Sequence, residues 1–233
     1  MTRRVWFVSP ALNASLRQAR FDDGAPLDAA GRTAARAAAR SLPTPDLAVV
    51  SGSRRCRETA ELLGLASAVA PDALAAPDTG GWRGRTLAEV SETSPQDVGR
   101  WLGDPEFRAG GGESVADLCA RVSRWLDTLD APDVSGTSDV SHVSDVSDAS
   151  DEVAPVSRGG LVIGVVEPEL VRAAVVHALG APLSAFWRCD VAPLTVTELS
   201  GRGGRWNVRC GRPLVPPASS TASGEAPQET PSR

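Results

Sequence analysis

The fold is decided near the start of the chain by VWFVSPA, residues 5–11. Its β-branched and aromatic residues predict a buried strand, which ends at Pro10 because proline cannot donate a ladder hydrogen bond. In open α/β folds, ligands bind outside the carboxyl ends of such strands. Ser9, Pro10 and Ala11 are therefore expected where a functional site forms, although none of the three is an obvious catalyst.

Two later stretches repeat the pattern of a buried strand followed at once by a helix. Residues 47–51 (LAVVS) predict a strand, and a helix follows from Arg54 to about residue 63. Residues 161–166 (LVIGVV) predict the clearest buried strand, and Pro168 takes the first position of the next helix. Further helices are predicted from Asp28 to about residue 41 and over residues 114–129.

Charged side chains follow both of these strands. Arg54, Arg55 and Arg57 lie in the first turn of their helix, and arginines strengthen the attraction of a helix N-terminus for anions. Glu167 follows the last of the three strands. Trp82 and Trp101 are expected to fill core rather than contact a ligand.

Composition limits the classes of function. The 233 residues are 42% hydrophobic, enough for a packed core, and the net charge is −5. Six acids and no Lys or Arg fall between residues 133 and 152, and without them the net charge is +1. Neither nucleic acid nor a membrane is therefore an expected partner. Four cysteines without paired spacing are expected to be free thiols. With no signal peptide or membrane span in the sequence, we expect a cytoplasmic protein.

Two segments have the composition of disordered chain. Serine recurs at every third position from 135 to 150, which matches neither the helical nor the strand period, so residues 132–156 are predicted to be a disordered insertion. Residues 214–233 are rich in Pro, Ser and Thr and predict a disordered tail. A single domain over residues 1–213 remains, and residues 194–210 predict a closing hairpin at a sheet edge.

Several short motifs occur in a specific order. They are SGSRRCRETA at 51–60, GGWRG at 80–84, GES at 112–114 with Arg121-Val122, and the strand and helix that begin at 161. Their joint order resembles the histidine phosphatase superfamily, the phosphoglycerate mutase-like proteins, whose second signature is roughly S-P-L-x-R-A-x-Q-T-A. The resemblance implies a three-layer α/β/α sandwich with a mostly parallel central sheet.

The chain departs from this family at its catalytic centre. The family's R-H-G motif, whose histidine becomes phosphorylated, aligns with residues 9–11, and the pair Arg20-Phe21 supports that register. The second family histidine aligns with Glu167. The acidic proton donor falls near Ala76, where Asp78 is a candidate substitute. Of the catalytic core that the resemblance implies, only the arginine of the second signature remains, as Arg55.

No other residue is an obvious substitute for the missing nucleophile. His142 lies in the predicted insertion, and His177 lies in mid-helix, where a structural role is expected. Cys56 is expected to be a small buried thiol, and Ser9 would need a base beside it. Phosphohistidine chemistry is therefore excluded by the inventory of residues.

The resemblance implies that Arg55 and Glu167 face one pocket. Two unit charges about 4 Å apart interact by roughly 4 kcal/mol at an effective dielectric constant near 20, so an ion pair would occupy the arginine that should hold phosphate. Glu167 would also repel a phosphate dianion. The other interpretation of Glu167 is that it stabilises its own helix N-terminus by about 0.3–1 kcal/mol. Arg20, Arg54 and Asp78 are further pocket candidates.

The leading hypothesis is a degenerate family member that lacks both catalytic histidines and binds a small molecule or a protein, with no cofactor and no metal. The alternative is a repurposed enzyme, of lyase, isomerase or cyclase type, for example in specialised metabolism. In that case Glu167 would act as acid or base, and Arg55 would orient an anionic or carbonyl substrate.

Overall fold

A computed structural model describes residues 2–130, 160–202 and 204–214. Five strands form one sheet in the order β2-β3-β1-β4-β5. Strand β1 pairs in parallel with β3, and β3 with β2, whereas β4 is antiparallel to β1 and β5 is antiparallel to β4. Four of the five strands therefore run in one direction. Their bounds are β1 Arg3–Val8, β2 Leu47–Val50, β3 Leu161–Val165, β4 Thr195–Arg202 and β5 Arg205–Pro213.

Helices cover both faces of the sheet, which confirms the predicted three-layer α/β/α sandwich. Helices α6 and α7 pack on one face, and α2 and α3 pack on the other. The α-helices are α1 Ala14–Arg17, α2 Ala29–Ala38, α3 Arg54–Leu62, α4 Leu87–Thr93, α5 Pro95–Gly103, α6 Val115–Asp130 and α7 Pro168–Leu179. Short 3₁₀ helices are Ala39–Ser41, Asp72–Leu74, Gly80–Trp82, Ala109–Gly111 and Leu183–Arg188.

The strand period of two explains how the sheet supports both helical layers. On β1, Val5 and Phe7 face α6 and α7, while Val8 faces the layer of α3. Strand β3 is buried along its whole length, and each large apolar side chain removed from water contributes about 1.5–3 kcal/mol. At its centre Gly164 is required, because a Cβ there would lie 2.8 Å from Val49 Cγ2.

The cap of α2 lies at Asp28, where the sequence predicts it, and Ser53 caps α3. The Asp28 carboxylate accepts a hydrogen bond from the Gly31 N–H, and the Ser53 hydroxyl oxygen accepts one from the Cys56 N–H at 3.3 Å. Helix α7 begins at Pro168 and ends at Leu179, and it is followed by Gly180 as the C-cap, with a φ of 58°. The Ser53 cap fixes the first turn of α3 next to the end of β2, and Pro168 at the first helical position starts α7 next to the end of β3.

The predicted hairpin is formed by β4 and β5. Of these two strands, β5 lies at the edge of the sheet, whereas β4 pairs with β1 on its other side. Leu214, which the sequence assigned to the tail, is 2% exposed, and its N–H donates to the Leu194 carbonyl. The predicted insertion, with His142, and the rest of the predicted tail lie outside the described residues. No helix within the described ranges is long and apolar enough to cross a membrane.

Candidate functional site

A cleft of about 200 Å³ lies beside the carboxyl ends of β2 and β3. Its floor contains Arg55, which follows β2 on α3, and Glu167, which follows β3. The walls come from residues 16–22, the loop around Ala76 and Asp78, the start of α6 and the 3₁₀ segment Leu183–Arg188. Arg20, Ala76 and Asp78 thus line the same cleft as Arg55 and Glu167.

Arg55 and Glu167 form a bidentate ion pair at the floor of the cleft. The Arg55 Nε–H donates to Glu167 Oε1 at 3.1 Å, and its Nη2 donates to Oε2. The two side chains are only 7% and 3% exposed. Burial alone would lower the pKa of Arg55, but the charge and hydrogen bonds of Glu167 outweigh this and raise it. The guanidinium is therefore permanently charged and already paired.

The carboxylate of Glu167 makes no capping hydrogen bond to the first turn of α7. Both of its oxygens accept hydrogen bonds from Arg55, and Oε1 also lies 3.5 Å from Cys56 Sγ. The ion pair, rather than a hydrogen-bonded helix cap, is thus the main interaction of this side chain.

A second carboxylate, Glu169, enters the cleft from the first turn of α7 and was not predicted from the sequence. Its side chain is 32% exposed, and its Oε1 lies 3.5 Å from Arg172 Nη1. Burial, and next the neighbouring Glu167 charge, raise the pKa of Glu169 above its usual value. The signal was present in the sequence as Glu-Pro-Glu directly after a buried strand.

One wall of the cleft is held by Arg121 of α6. Its guanidinium donates to the carbonyls of Ala73 and Ala75 at 2.7 and 2.9 Å, and it pairs with Glu113 at 2.6 Å. The Glu113 N–H in turn donates to the Asp78 carbonyl at 2.8 Å. The loop that carries Ala76 and Asp78 is therefore fixed to α6.

Two glycine turns support the same loop. Gly80 and Gly110 have positive φ angles of 49° and 59°, and their turns meet backbone to backbone. A Cβ at Gly110 would lie 2.5 Å from the Thr79 carbonyl oxygen, so glycine is required there. The GGWRG and GGGES stretches thus form one structural unit beside the cleft.

Aromatic side chains form the opposite wall. Trp101, Phe186 and Trp187 line the cleft together with Phe21. The ring centroids of Trp101 and Trp187 are 4.5 Å apart and edge to face. Trp82 fills core as expected. Trp101 packs against the core cluster that contains Trp82, and its half-buried ring also forms part of the cleft surface. No periodic signal marks Phe186 and Trp187, since they lie in a 3₁₀ segment.

The end of β1 does not contribute a cleft surface. Ser9, Pro10 and Ala11 are buried but do not line the cleft. The Ser9 hydroxyl donates to the Ala192 carbonyl and accepts from the Thr195 N–H at 3.1 Å, so it points toward β4. These short side chains pack against the fold instead of reaching the cleft.

Arg54 also lies outside the cleft. Its Nε donates to Glu58 Oε1 at 3.0 Å, and its side chain is 54% exposed. Successive helical residues point about 100° apart, so Arg54 and Arg55 cannot both face the floor. Arg54 therefore serves as a natural control for Arg55.

Nucleophiles are scarce around the cleft. The Cys56 thiol is completely buried, and burial together with Glu167 raises its pKa well above the usual value. His177 lies on α7, with its Nε2 3.3 Å from Asp127 Oδ1 on α6, and does not line the cleft. Among the described residues, no His, Cys, Asp and Glu side chains are grouped so that they could hold a metal ion.

These features define a three-layer α/β protein whose cleft adjoins the carboxyl ends of parallel strands. The family model of the histidine phosphatase superfamily, branch 1, matches residues 11–145, and the chain belongs to this family. The match begins at Ala11, after Ser9 and Pro10.

Known proteins resemble parts of the chain. It is 41% identical over 61 residues, 26% of its own length, to a bifunctional protein of Mycobacterium tuberculosis, of which it covers 17%. Phosphoserine phosphatase 1 of Hydrogenobacter thermophilus is 28% identical over 182 residues, 74% of each chain.

Solved structures share the fold. A mycobacterial glucosyl-3-phosphoglycerate phosphatase in complex with VO3 superposes with a TM-score of 0.70 at 23% identity, covering 91% of this chain and 99% of that one. An Escherichia coli chain described as a putative alpha-ribazole-5'-P phosphatase gives a TM-score of 0.71 at 16% identity, covering 91% and 97%. At these identities the likeness concerns the fold alone.

Proposed function

We propose that the protein binds a small organic molecule in the cleft and does not transfer phosphate. One observation carries the proposal, namely the buried bidentate pair of Arg55 and Glu167. Arg55 aligns with the family arginine that would hold a phosphate group, and the carboxylate of Glu167 takes the place that the phosphate would need.

Phosphate would have to compete with Glu167 for the same guanidinium. Breaking a buried ion pair leaves an uncompensated charge and costs about 3–5 kcal/mol. Affinity for a phosphate dianion is reduced by this cost, and Glu167 and Glu169 add repulsion on the same side of the cleft. A phosphate ester is therefore a poor ligand for this cleft.

The cleft also lacks an activated nucleophile. None of the described residues lining it is His or Cys. The Ser114 hydroxyl lines the cleft but donates to Asp117 Oδ2 at 2.8 Å and accepts from the Asp117 N–H, which caps α6. The only base that it contacts within the described ranges is the Asp117 carboxylate, and the hydrogen bond from Ser114 lowers the pKa of Asp117, so this weak base does not activate the hydroxyl.

A phosphomonoesterase assay with p-nitrophenyl phosphate tests the proposal. The purified protein and its Arg55→Ala variant should both show no turnover above the buffer rate. Arg54→Ala is the matched control, because its side chain lies outside the cleft. Turnover that disappears in Arg55→Ala and persists in Arg54→Ala would overturn the proposal.

A second candidate function is a repurposed lyase, isomerase or cyclase. One observation favours it, because a carboxylate with a raised pKa in a partly apolar cleft suits a general acid or base. The sequence assigned this role to Glu167, but Arg55 occupies both of its oxygens, so Glu169 is better placed to exchange a proton with a ligand.

This second candidate predicts that one metabolite of a cell extract is consumed and a new chromatographic peak appears, of lower mass for a lyase and of unchanged mass for an isomerase. Turnover should be lost in Glu169→Gln, or in Glu167→Gln if the original assignment holds. A metabolite that is bound and recovered unchanged supports the binding protein instead.

A further inference from the structure

The positive charges that line the cleft already have partners. Arg55 is paired with Glu167, and Arg20 donates to the Gly84 carbonyl and, at 3.2 Å, to Gln18 Oε1. A ligand anion would have to displace one of these partners before it gained a hydrogen bond from either guanidinium.

Five carboxylates of the described residues line the cleft, of which Glu167 and Glu113 are paired with Arg55 and Arg121, whereas Glu169, Asp22 and Asp78 are less completely paired. The closest charged contact recorded for Glu169 within the described ranges is Arg172 Nη1 at 3.5 Å. The Arg172 Nε–H donates to the Cys189 carbonyl at 2.9 Å, so this guanidinium is shared. Asp22 lies 4.0 Å from Arg83 Nη2, and Asp78 Oδ1 accepts only a backbone bond, from the Gly80 N–H, among the described contacts. The cleft therefore favours positive charge.

The aromatic wall lies next to Glu169. The Arg172 guanidinium, which contacts Oε1 of Glu169, also lies 5.3 Å from the centroid of the Trp187 ring, so one cation of the protein already contacts both the carboxylate and the ring. The other oxygen, Oε2, accepts no hydrogen bond among the described contacts and is available to a ligand. Trp101 packs edge to face against Trp187, with ring centroids 4.5 Å apart. A carboxylate beside electron-rich rings is the arrangement that binds organic ammonium ions.

We infer that the natural ligand is an organic ammonium ion with an aromatic or branched aliphatic body, its nitrogen held by Glu169 and its body packed on Trp101 and Trp187. This inference rests on the proposed function, since it names the ligand class of the same cleft. Burial of the apolar body against the two rings supplies most of the affinity, and the charge of Glu169 selects a cation over a neutral molecule or an anion.

A matched series of probes tests the charge preference. Phenethylamine, phenethyl alcohol, 3-phenylpropionate and phenyl phosphate differ chiefly in the charge of the terminal group. Titration calorimetry at pH 7.5 should show that the amine binds most tightly, the alcohol more weakly, and the two anions least.

Variants assign the preference to Glu169. Glu169→Gln should weaken amine binding by about tenfold while leaving the alcohol unchanged, and Glu169→Asp should keep the amine first in the series. Glu92→Gln, an exposed carboxylate on α4, is the control and should change neither. Melting temperatures establish that each variant is folded.

The outcomes separate this inference from the proposed function. If phenylpropionate binds as tightly as the amine, if Glu169→Gln has no effect on the amine, or if the amine does not bind, the ammonium inference is wrong and the binding protein still stands. If phenyl phosphate is hydrolysed, the proposed function itself is wrong.

Discussion

The guanidinium of Arg55 and the carboxylate of Glu167 lie 112 positions apart in the chain and meet in a buried, bidentate hydrogen-bonded pair. One follows β2 and the other follows β3, so the pair joins two adjacent parallel strands at their carboxyl ends. Each charge at the floor of the cleft is therefore neutralised by another side chain of the protein.

Removing one member of this pair should destabilise the fold strongly. We expect Arg55→Ala to lower the free energy of unfolding by about 3–5 kcal/mol, because Glu167 is left buried without a partner. The double variant Arg55→Met, Glu167→Leu should recover most of this loss. Urea denaturation measures both, with Arg54→Ala expected to cost under about 1 kcal/mol. Similar losses for Arg55→Ala and Arg54→Ala would contradict the assignment.

Neutralising Glu167 should create affinity for phosphate. In Glu167→Gln the shape of the pair is kept but the Arg55 charge is no longer balanced, so an anion can neutralise it. We expect calorimetric binding of inorganic phosphate by this variant and none by the unmodified protein. Glu92→Gln should behave like the unmodified protein, and phosphate binding by the latter would argue against internal pairing as the cause.

Thiol reactivity should follow burial. Cys210 is exposed, whereas Cys56 and Cys119 are buried, and burial raises the pKa of Cys119 to about 11. Because the thiolate is the reactive form, iodoacetamide at pH 8 should label Cys210 first and spare Cys56 and Cys119. Peptide mass spectrometry gives the order, and labelling in urea should reach all four cysteines. Rapid labelling of Cys56 would contradict its burial and would make it a candidate nucleophile.

The loop beside the cleft should depend on Arg121. Its side chain donates to two carbonyls of that loop and pairs with Glu113, and hydrogen bonds to charged groups are worth about 1.5–3 kcal/mol each. In Arg121→Ala we expect faster amide hydrogen exchange over residues 73–78. Arg124→Ala, an exposed arginine on the same helix, should leave these rates unchanged. Equal protection in both variants would show that the loop is held by other contacts.

Acid should weaken the contact between α2 and α3 through Glu58. Burial alone would raise the pKa of Glu58, but hydrogen bonds from the Leu27 N–H and Arg54, with the charge of Arg32, lower it overall. A lowered folded-state pKa means that this stabilisation is present above the ordinary value of 4.5 and is lost as the pH falls below it. Between about pH 6 and pH 3, a range that spans the protonation of Glu58, the urea midpoint of Glu58→Gln should therefore fall less than that of the unmodified protein. Parallel pH profiles would contradict the role.

The sequence was most informative where a strand end and a helix cap lie within one short segment. Residues 51–55 and 165–168 show this, because Ser53 and Pro168 mark the helix starts that bring Arg55 and Glu167 to the same edge. Parallel pairing then brings the two side chains together without further information.

The walls of the cleft depend on contacts that local patterns do not encode. Trp187 meets Trp101, 86 positions away, and Arg121 holds carbonyls 46 and 48 positions away. The helical and strand periods do not predict such pairs. A backbone carbonyl accepts a hydrogen bond whatever the side chain of its residue, so the sequence carries no mark of the acceptor. Arg54 was a pocket candidate, but its position around the helix axis points its side chain away from the cleft. The composition of the first turn could not show this.

The hydrogen bonds of Ser9 have a consequence for substitutions at the end of β1. This side chain is 1% exposed and joins the end of β1 to the turn before β4 through the Ala192 carbonyl and the Thr195 N–H. It stands where the resemblance places the family's first arginine. An arginine introduced there today would remove these bonds and require space that the fold has filled. Any larger side chain at residue 9 would therefore alter the packing between β1 and β4 before it could reach the cleft.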